Sequence, residues 1–191
     1  MKKIMFLVVA SLLAFSGCGE GEDGPSPFIG SWDSPCAIDP EGGSTKSHVL
    51  ILDGSLSFDV WSFDTTNCAE PVVMNINGEG TYTENGTVSA TLGGNSVKAT
   101  RTDTTFTKYN MLISFSLVDT FNLIQFCGKS DWTSGVQIDV LSCFVPENPE
   151  KGLYYVDKSG GTDVIYFEAE NSSKDADGYP TTLDPEGMTR N

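Results

Sequence analysis

The chain has 191 residues, with 26 acidic and 11 basic side chains and a formal net charge of −15 at pH 7. So acidic a chain is a poor nucleic-acid binder, because phosphates require a basic face. Anionic bilayer surfaces also repel it. One explanation of the net charge is that mutual repulsion between the molecules keeps the protein soluble. The alternative is that the charge attracts a cationic ligand or a cationic protein partner.

The N-terminus has the features of an export signal. Lys2 and Lys3 precede an apolar run of twelve residues, Ile4 to Phe15. This run is too short to span a bilayer, which needs about 20 residues, but it is typical of a signal peptide. The following Ser16-Gly17-Cys18 resembles the lipobox of bacterial lipoproteins, although Phe15 stands where that family usually has Leu.

The lipoprotein resemblance implies cleavage before Cys18, acylation of its sulfur and attachment to a membrane through that lipid. Gly19, rather than Asp, follows the cysteine, which by the same resemblance favours the outer membrane. The alternative is ordinary secretion with Cys18 as an unpaired thiol. The predicted organisation is therefore a signal peptide (1–17), a lipidated cysteine with a flexible Gly/Pro-rich tether (18–27), a β-domain (28–170) and a polar C-terminal tail (171–191).

Four further cysteines, an even set, predict two disulfides in an exported protein. Asp53-Gly54 is a hairpin turn signal between β-rich runs at 48–53 and 55–63, and folding there brings Cys36 near Cys68. A turn at 134–135, between runs at 123–133 and 136–144, similarly predicts a Cys127–Cys143 disulfide. No C-x-x-C spacing is present and His48 is the only histidine, so no metal site is expected.

The remaining segments predict a β-meander. Short strands are expected at 72–76, 80–84, 87–92 and 96–102, with turns at 77–78, 85–86 and 93–94. A long strand at 106–118 is followed by another at 121–127, and a last hairpin turns at 159–161. The tail from 171 is expected to be irregular. About ten short strands without helical periodicity favour an all-β antiparallel barrel or an immunoglobulin-like sandwich.

Gly30-Ser31-Trp32, just before the first strand, is similar to the G-x-W element that opens lipocalins and related calycins. This resemblance implies an up-and-down barrel of about 8–10 strands, in which Trp32 closes one end beneath a basic residue from near the domain's end. Arg190 is placed late enough for that role. The later lipocalin motifs are absent, so the sandwich stays the alternative. The overall layout also resembles small Gram-negative lipoproteins without known activity.

Three phenylalanines are the candidate ligand-binding residues. If Phe58, Phe115 and Phe121 point inward, they either fill the core or line a cavity for a small apolar ligand. We expect a non-enzymatic, lipid-anchored, monomeric cell-envelope protein that binds such a ligand. The alternative is an envelope structural or interaction protein with a filled core, which acts through exposed loops and an exposed Trp132.

An enzyme is the weakest of the three hypotheses. His48 is the single imidazole, no catalytic motif surrounds it, and we expect no catalytic residue and no cofactor. Asp175 to Gly178 resembles a fragment of a calcium loop but lacks the EF-hand spacing. A solvated turn is therefore predicted there.

Overall fold

The described chain is dominated by antiparallel strands. The computed structural model describes residues 26–40, 42–145 and 148–191, so the signal peptide, Cys18 and most of the tether lie outside the described residues. Its elements, in chain order, are β1 (Gly30–Asp33), β2 (Ala37–Ile38), β3 (Ser44–Leu52), β4 (Ser55–Phe63), β5 (Val72–Leu92), β6 (Asn95–Ile113), α1 (Phe115–Leu123), β7 (Ile138–Asp139), α2 (Leu141–Phe144), β8 (Glu150–Asp157), β9 (Val164–Phe167), β10 (Thr182–Leu183) and β11 (Met188–Arg190).

Eight of these strands close into a barrel. Around it they follow chain order, β1-β3-β4-β5-β6-β8-β9-β11, and the last pairs with the first, with Trp32 opposite Arg190. The predicted all-β up-and-down barrel with two disulfides is confirmed, and the sandwich alternative is wrong because the hydrogen-bonded ring has no break between two sheets. The pairs are Cys36–Cys68 and Cys127–Cys143, as predicted.

Some of the predicted hairpin turns are present in the structure and others are not. The hairpin turns at 53–54 and 93–94 are confirmed, with Leu52 opposite Ser55 and Leu92 opposite Asn95. The predicted turns at 77–78 and 85–86 are wrong, because β5 runs unbroken from Val72 to Leu92. Its pairing with β6 is continuous apart from two bulges, one of them at 84–87, so the long ladder overrides the local turn preference.

The long strand expected at 106–118 ends five residues early. β6 stops at Ile113, and α1 takes up Phe115–Leu123. The segment between β6 and β8, residues 114–145, is an insertion that also holds a 3-10 turn, β7 and α2. The predicted hairpin around 134–135 is therefore wrong, although the disulfide inferred from it is confirmed.

Buried side chains form three clusters. One lies inside the barrel (Phe28, Trp32, Ile51, Tyr82, Tyr154, Ile165, Met188). A second lies where the β5–β6 hairpin meets β8 and β10 (Ala90, Ala99, Leu153, Leu183). The third holds the insertion against β6 (Met111, Ile113, Trp132, Val140).

The C-terminal tail is partly ordered into strands. β10 pairs in parallel with β5, and β11 is a wall strand of the barrel. The expectation of an irregular tail is thus wrong for these residues, which are short runs stabilised by pairing with strands far away in the sequence. Among the residues that the structure describes, no helix is long and apolar enough to cross a bilayer.

Candidate functional site: the barrel cavity and its mouth

One end of the barrel is closed by residues from near the two ends of the described chain. The Arg190 guanidinium lies over the Trp32 ring, 4.5 Å from its centroid. Its two Nη atoms donate to the carbonyl oxygens of Ile29 and Pro27, each at 3.0 Å. Phe28 stacks on Tyr154 inside the barrel, with ring centroids 4.1 Å apart. We call this the closed end.

The opposite end carries two glutamates. Glu150 begins β8 and Glu168 directly follows β9. The other ends of these two strands meet where Asp157 pairs with Val164, next to the closed end. The two carboxylates therefore lie at the far end of the barrel, and we call the opening between them the mouth.

The barrel contains a cavity of about 200 Å³ behind the mouth. Its wall is mainly apolar (Phe28, Val49, Leu56, Phe58, Phe106, Phe167, Met188), with Thr102, Thr104, Gly152 and the two mouth glutamates adding the polar part. An apolar cavity of about 150 Å³ is enough to hold benzene. This cavity therefore has room for one aromatic ring or a short alkyl chain.

A more polar cleft of about 620 Å³ adjoins the cavity. It is lined by Val145 of the insertion and by residues of β8 and of the segment that follows β9 (Glu150, Lys151, Glu168, Ala169, Glu170, Ser172, Lys174, Pro180, Asp184). Glu150 and Glu168 line both spaces. The mouth thus separates an apolar interior from a polar, charged exterior.

Both mouth carboxyls are partly removed from water. Burial raises the pKa of Glu168, against the opposing effect of the backbone N–H of Leu153, which donates to its Oε2 at 3.0 Å. The charge of Glu150 raises it further. Burial of the carboxyl likewise raises the pKa of Glu150, and Lys174 acts in the opposite direction. Each group resists ionisation unless a positive charge comes near.

Comparison with known proteins assigns no family to this chain. No protein-family model matches its sequence, and no curated protein matches it. The likeness to calycins therefore rests on the closed eight-strand barrel and on the contact of Arg190 with Trp32, together with the Gly30-Ser31-Trp32 element.

Of the three predicted ligand-binding phenylalanines, only Phe58 lines the cavity. Phe115 lies on α1 and is 82% exposed. Phe121, also on α1, packs against Trp132 with ring centroids 5.2 Å apart. The prediction is wrong for Phe115 and Phe121, because the chain leaves the barrel wall after Ile113 and places both rings on the insertion.

The alternative hypothesis of an interaction protein includes an exposed Trp132, and the structure contradicts this part of it. The side chain is only 2% exposed, and its Nε1 donates to the carbonyl of Phe126 at 3.1 Å. The side-chain amide of Asn122, on α1, holds its backbone in two hydrogen bonds. Trp132 therefore anchors the insertion rather than offering a surface.

His48 and the Asp175 loop do not contribute to the cavity. Nδ1 of His48 lies 2.7 Å from Oδ1 of Asp33, its partner across the β1–β3 pair. Arg101 pairs with the carboxylates of Asp175 and Asp177. Within residues 26–40, 42–145 and 148–191, no group of three or more potential ligands is placed to hold a metal ion.

Sequence reasoning missed the mouth glutamates and the threonines beside them. The alternation of Thr102, Thr104 and Phe106 along β6 does place those three on one face. Nothing local identifies Glu168, because its position depends on β9 pairing with β8 and on the amide of Leu153.

Proposed function

We propose that this chain is a non-enzymatic binding protein that takes a small apolar ligand into its barrel cavity. The observation that carries the proposal is the apolar space of about 200 Å³ behind the mouth. Apolar walls favour a ligand that leaves water, at roughly 25 cal/mol for each Å² of apolar surface buried. Deep, mostly apolar cavities with a few polar groups are the usual form of small-molecule sites.

We further propose that lipid on Cys18 holds the barrel at the outer membrane. The described chain starts at Ser26, whose hydroxyl donates to Glu84 at the closed end. The residues between Cys18 and Ser26 would then join the lipid to that end. In this arrangement the mouth faces away from the bilayer. Cys18→Ala should release the protein into the soluble fraction while both disulfides are kept.

Ligand binding can be tested by filling the cavity. Thr104 lines it, while its neighbour Thr105 is exposed on the outer face of β6. Thr104→Phe should abolish saturable binding of toluene, followed by amide chemical shifts of Gly152 and residues nearby. Thr105→Phe is the matched control and should bind as the parent does. Absence of any saturable shift in the parent protein would reject the cavity as a ligand site.

A second candidate function is contact with another protein through the insertion. Phe115 and Leu123, on α1, are 82% and 83% exposed, and Ile124 follows them. Exposed large apolar side chains on one short segment are typical of contact surfaces. The double variant Phe115→Ser/Leu123→Ser should then lose a specific cross-linked partner in the native host while toluene binding in the cavity is kept. An unchanged cross-linking pattern would reject this candidate.

A further inference from the structure

The mouth holds two partly buried carboxyl groups, those of Glu150 and Glu168. Among the described residues, neither Glu150 nor Glu168 takes part in an ion pair. Lys151, the nearest lysine along β8, is turned away: its Nζ donates to the carbonyl of Asp177 and lies 4.8 Å from the centroid of the Tyr179 ring. The carboxylates are therefore left facing the cavity and the cleft.

The cleft outside the mouth has the same sign. Its acidic side chains (Glu150, Glu168, Glu170, Asp184) outnumber its two lysines (Lys151, Lys174). Lys174 is the one that acts on the mouth, through its attraction for Glu150. A positively charged group that approaches from the cleft is thus attracted, and an anion is repelled.

We propose that the ligand is a small amphiphilic amine, with its apolar part in the barrel cavity and its ammonium group between Glu150 and Glu168. This inference rests on the proposed function and specifies the class of ligand. The cavity limits the apolar part to about one ring or a short chain. The mouth supplies carboxylate oxygens at the point where such a ligand would end.

The preference for a cation follows from the cost of desolvating the carboxylates. A partly buried carboxylate without a counter-ion is unfavourable, and an ammonium group offsets that cost through charge-assisted hydrogen bonds. A neutral hydrocarbon of the same shape gains only the apolar burial. A carboxylate of the same size would place its own negative charge beside these two carboxyl groups, and we expect it not to bind.

Binding of the amine should depend on pH in a defined direction. An ammonium group lowers the pKa of Glu168, so the affinity falls as the pH drops through the raised pKa of the free protein. The charge that acts on Glu168 is that of Glu150 on β8. The cleft beside it also holds the charged side chains of Lys151, Glu170, Lys174 and Asp184. The β6 side of the cavity offers only the hydroxyls of Thr102 and Thr104.

The test is titration calorimetry on the disulfide-intact chain with three probes of one shape: benzylamine, ethylbenzene and phenylacetate. We expect benzylamine to bind at least about tenfold more tightly than ethylbenzene, with no binding of phenylacetate. Equal affinity for benzylamine and ethylbenzene would overturn the amine inference and leave the apolar-ligand proposal standing. Failure of all three to bind would overturn both.

A variant that removes the charge of Glu168 tests whether the preference for the amine arises at the mouth. Glu168→Gln should bring the benzylamine-to-ethylbenzene affinity ratio close to one. Glu79→Gln is the control, since Glu79 lies on the outside of β5 and pairs with Lys108 at 2.7 Å; it should keep the ratio of the parent. If Glu168→Gln does not fold, the pH dependence of the ratio in the parent protein decides. A ratio that stays constant as the pH is lowered from 8 to 4 would contradict the assignment.

Discussion

Arg190 and Trp32, close to opposite ends of the described chain, face each other at a guanidinium-to-ring distance of 4.5 Å. The contact lies on the seam where β11 meets β1. Oδ2 of Asp163 lies 3.1 Å from Nε of Arg190, on the side that the carbonyl oxygens of Pro27 and Ile29 leave open. One side chain thus links three segments that converge at the closed end.

Arg190→Ala should therefore destabilise the whole barrel. Loss of one cation–π contact and two charge-assisted hydrogen bonds predicts a decrease of about 3 kcal/mol in the free energy of unfolding. Arg190→Lys should recover part of this, because it keeps the charge but lacks the fork that reaches both carbonyls. Urea unfolding with the disulfides intact measures both changes.

Arg101 provides the control for this prediction. Its guanidinium lies 4.7 Å from the centroid of the Tyr179 ring, a contact of the same kind. It ties only the loop at 175–179 to β6, so Arg101→Ala should cost less than about 1 kcal/mol of global stability. A larger loss for Arg101→Ala than for Arg190→Ala would contradict the importance of the seam.

The buried Tyr154 predicts a loss of stability at alkaline pH. Burial raises the pKa of its hydroxyl to about 12, and hydrogen bonding to Ser26 acts against this rise. Above about pH 10 the unfolded chain releases this proton while the folded chain keeps it. The resulting contribution is complete below pH 10 and declines by up to about 2–3 kcal/mol as the pH rises to 12.

Tyr154→Phe isolates this effect from that of the other tyrosines. The variant should show a smaller fall in unfolding free energy between pH 9 and pH 12 than the parent does. Its spectrum should also lack the tyrosinate absorbance that appears last in the parent. Parallel pH profiles for the two proteins would contradict the prediction.

The two disulfides should stabilise different parts of the protein. Cys36–Cys68 spans 32 residues and joins the segment after β1 to the one after β4, while Cys127–Cys143 spans 16 residues inside the insertion. Loop-closure entropy assigns about 3–4 kcal/mol to each. Cys127→Ala/Cys143→Ala should expose Trp132 to acrylamide quenching at urea concentrations where the barrel persists. Cys36→Ala/Cys68→Ala should instead shift the main unfolding transition. If Trp132 stays protected in the first variant, the insertion and the barrel unfold together.

Sequence patterns predicted the local features of this fold and missed those that depend on distant partners. The Asp53-Gly54 turn is specified by residues next to each other, and the Cys36–Cys68 disulfide follows from it. The apolar alternation along β6, by contrast, continues past Ile113 in the sequence. The strand ends because the insertion packs against Met111, a contact that no local sequence pattern indicates.

The same distinction applies to the site. Phe58 was identified because alternation along a half-buried strand places it on the inner face, and Arg190 because the calycin resemblance implies a late basic partner for Trp32. Glu168 follows its strand as an ordinary polar residue. Only the ring of paired strands brings it beside Glu150 at the opening of a cavity.

The position of β11 has a consequence for how the protein is made. Because the strand that completes the ring consists of Met188–Arg190, the ring cannot form until these residues have been synthesised. Until then β1 and β9 present unpaired edges, which invite pairing with other chains. A chain that stops before Met188 should accordingly aggregate or be degraded, and a chaperone that shields the early strands would protect the nascent protein until β11 is made.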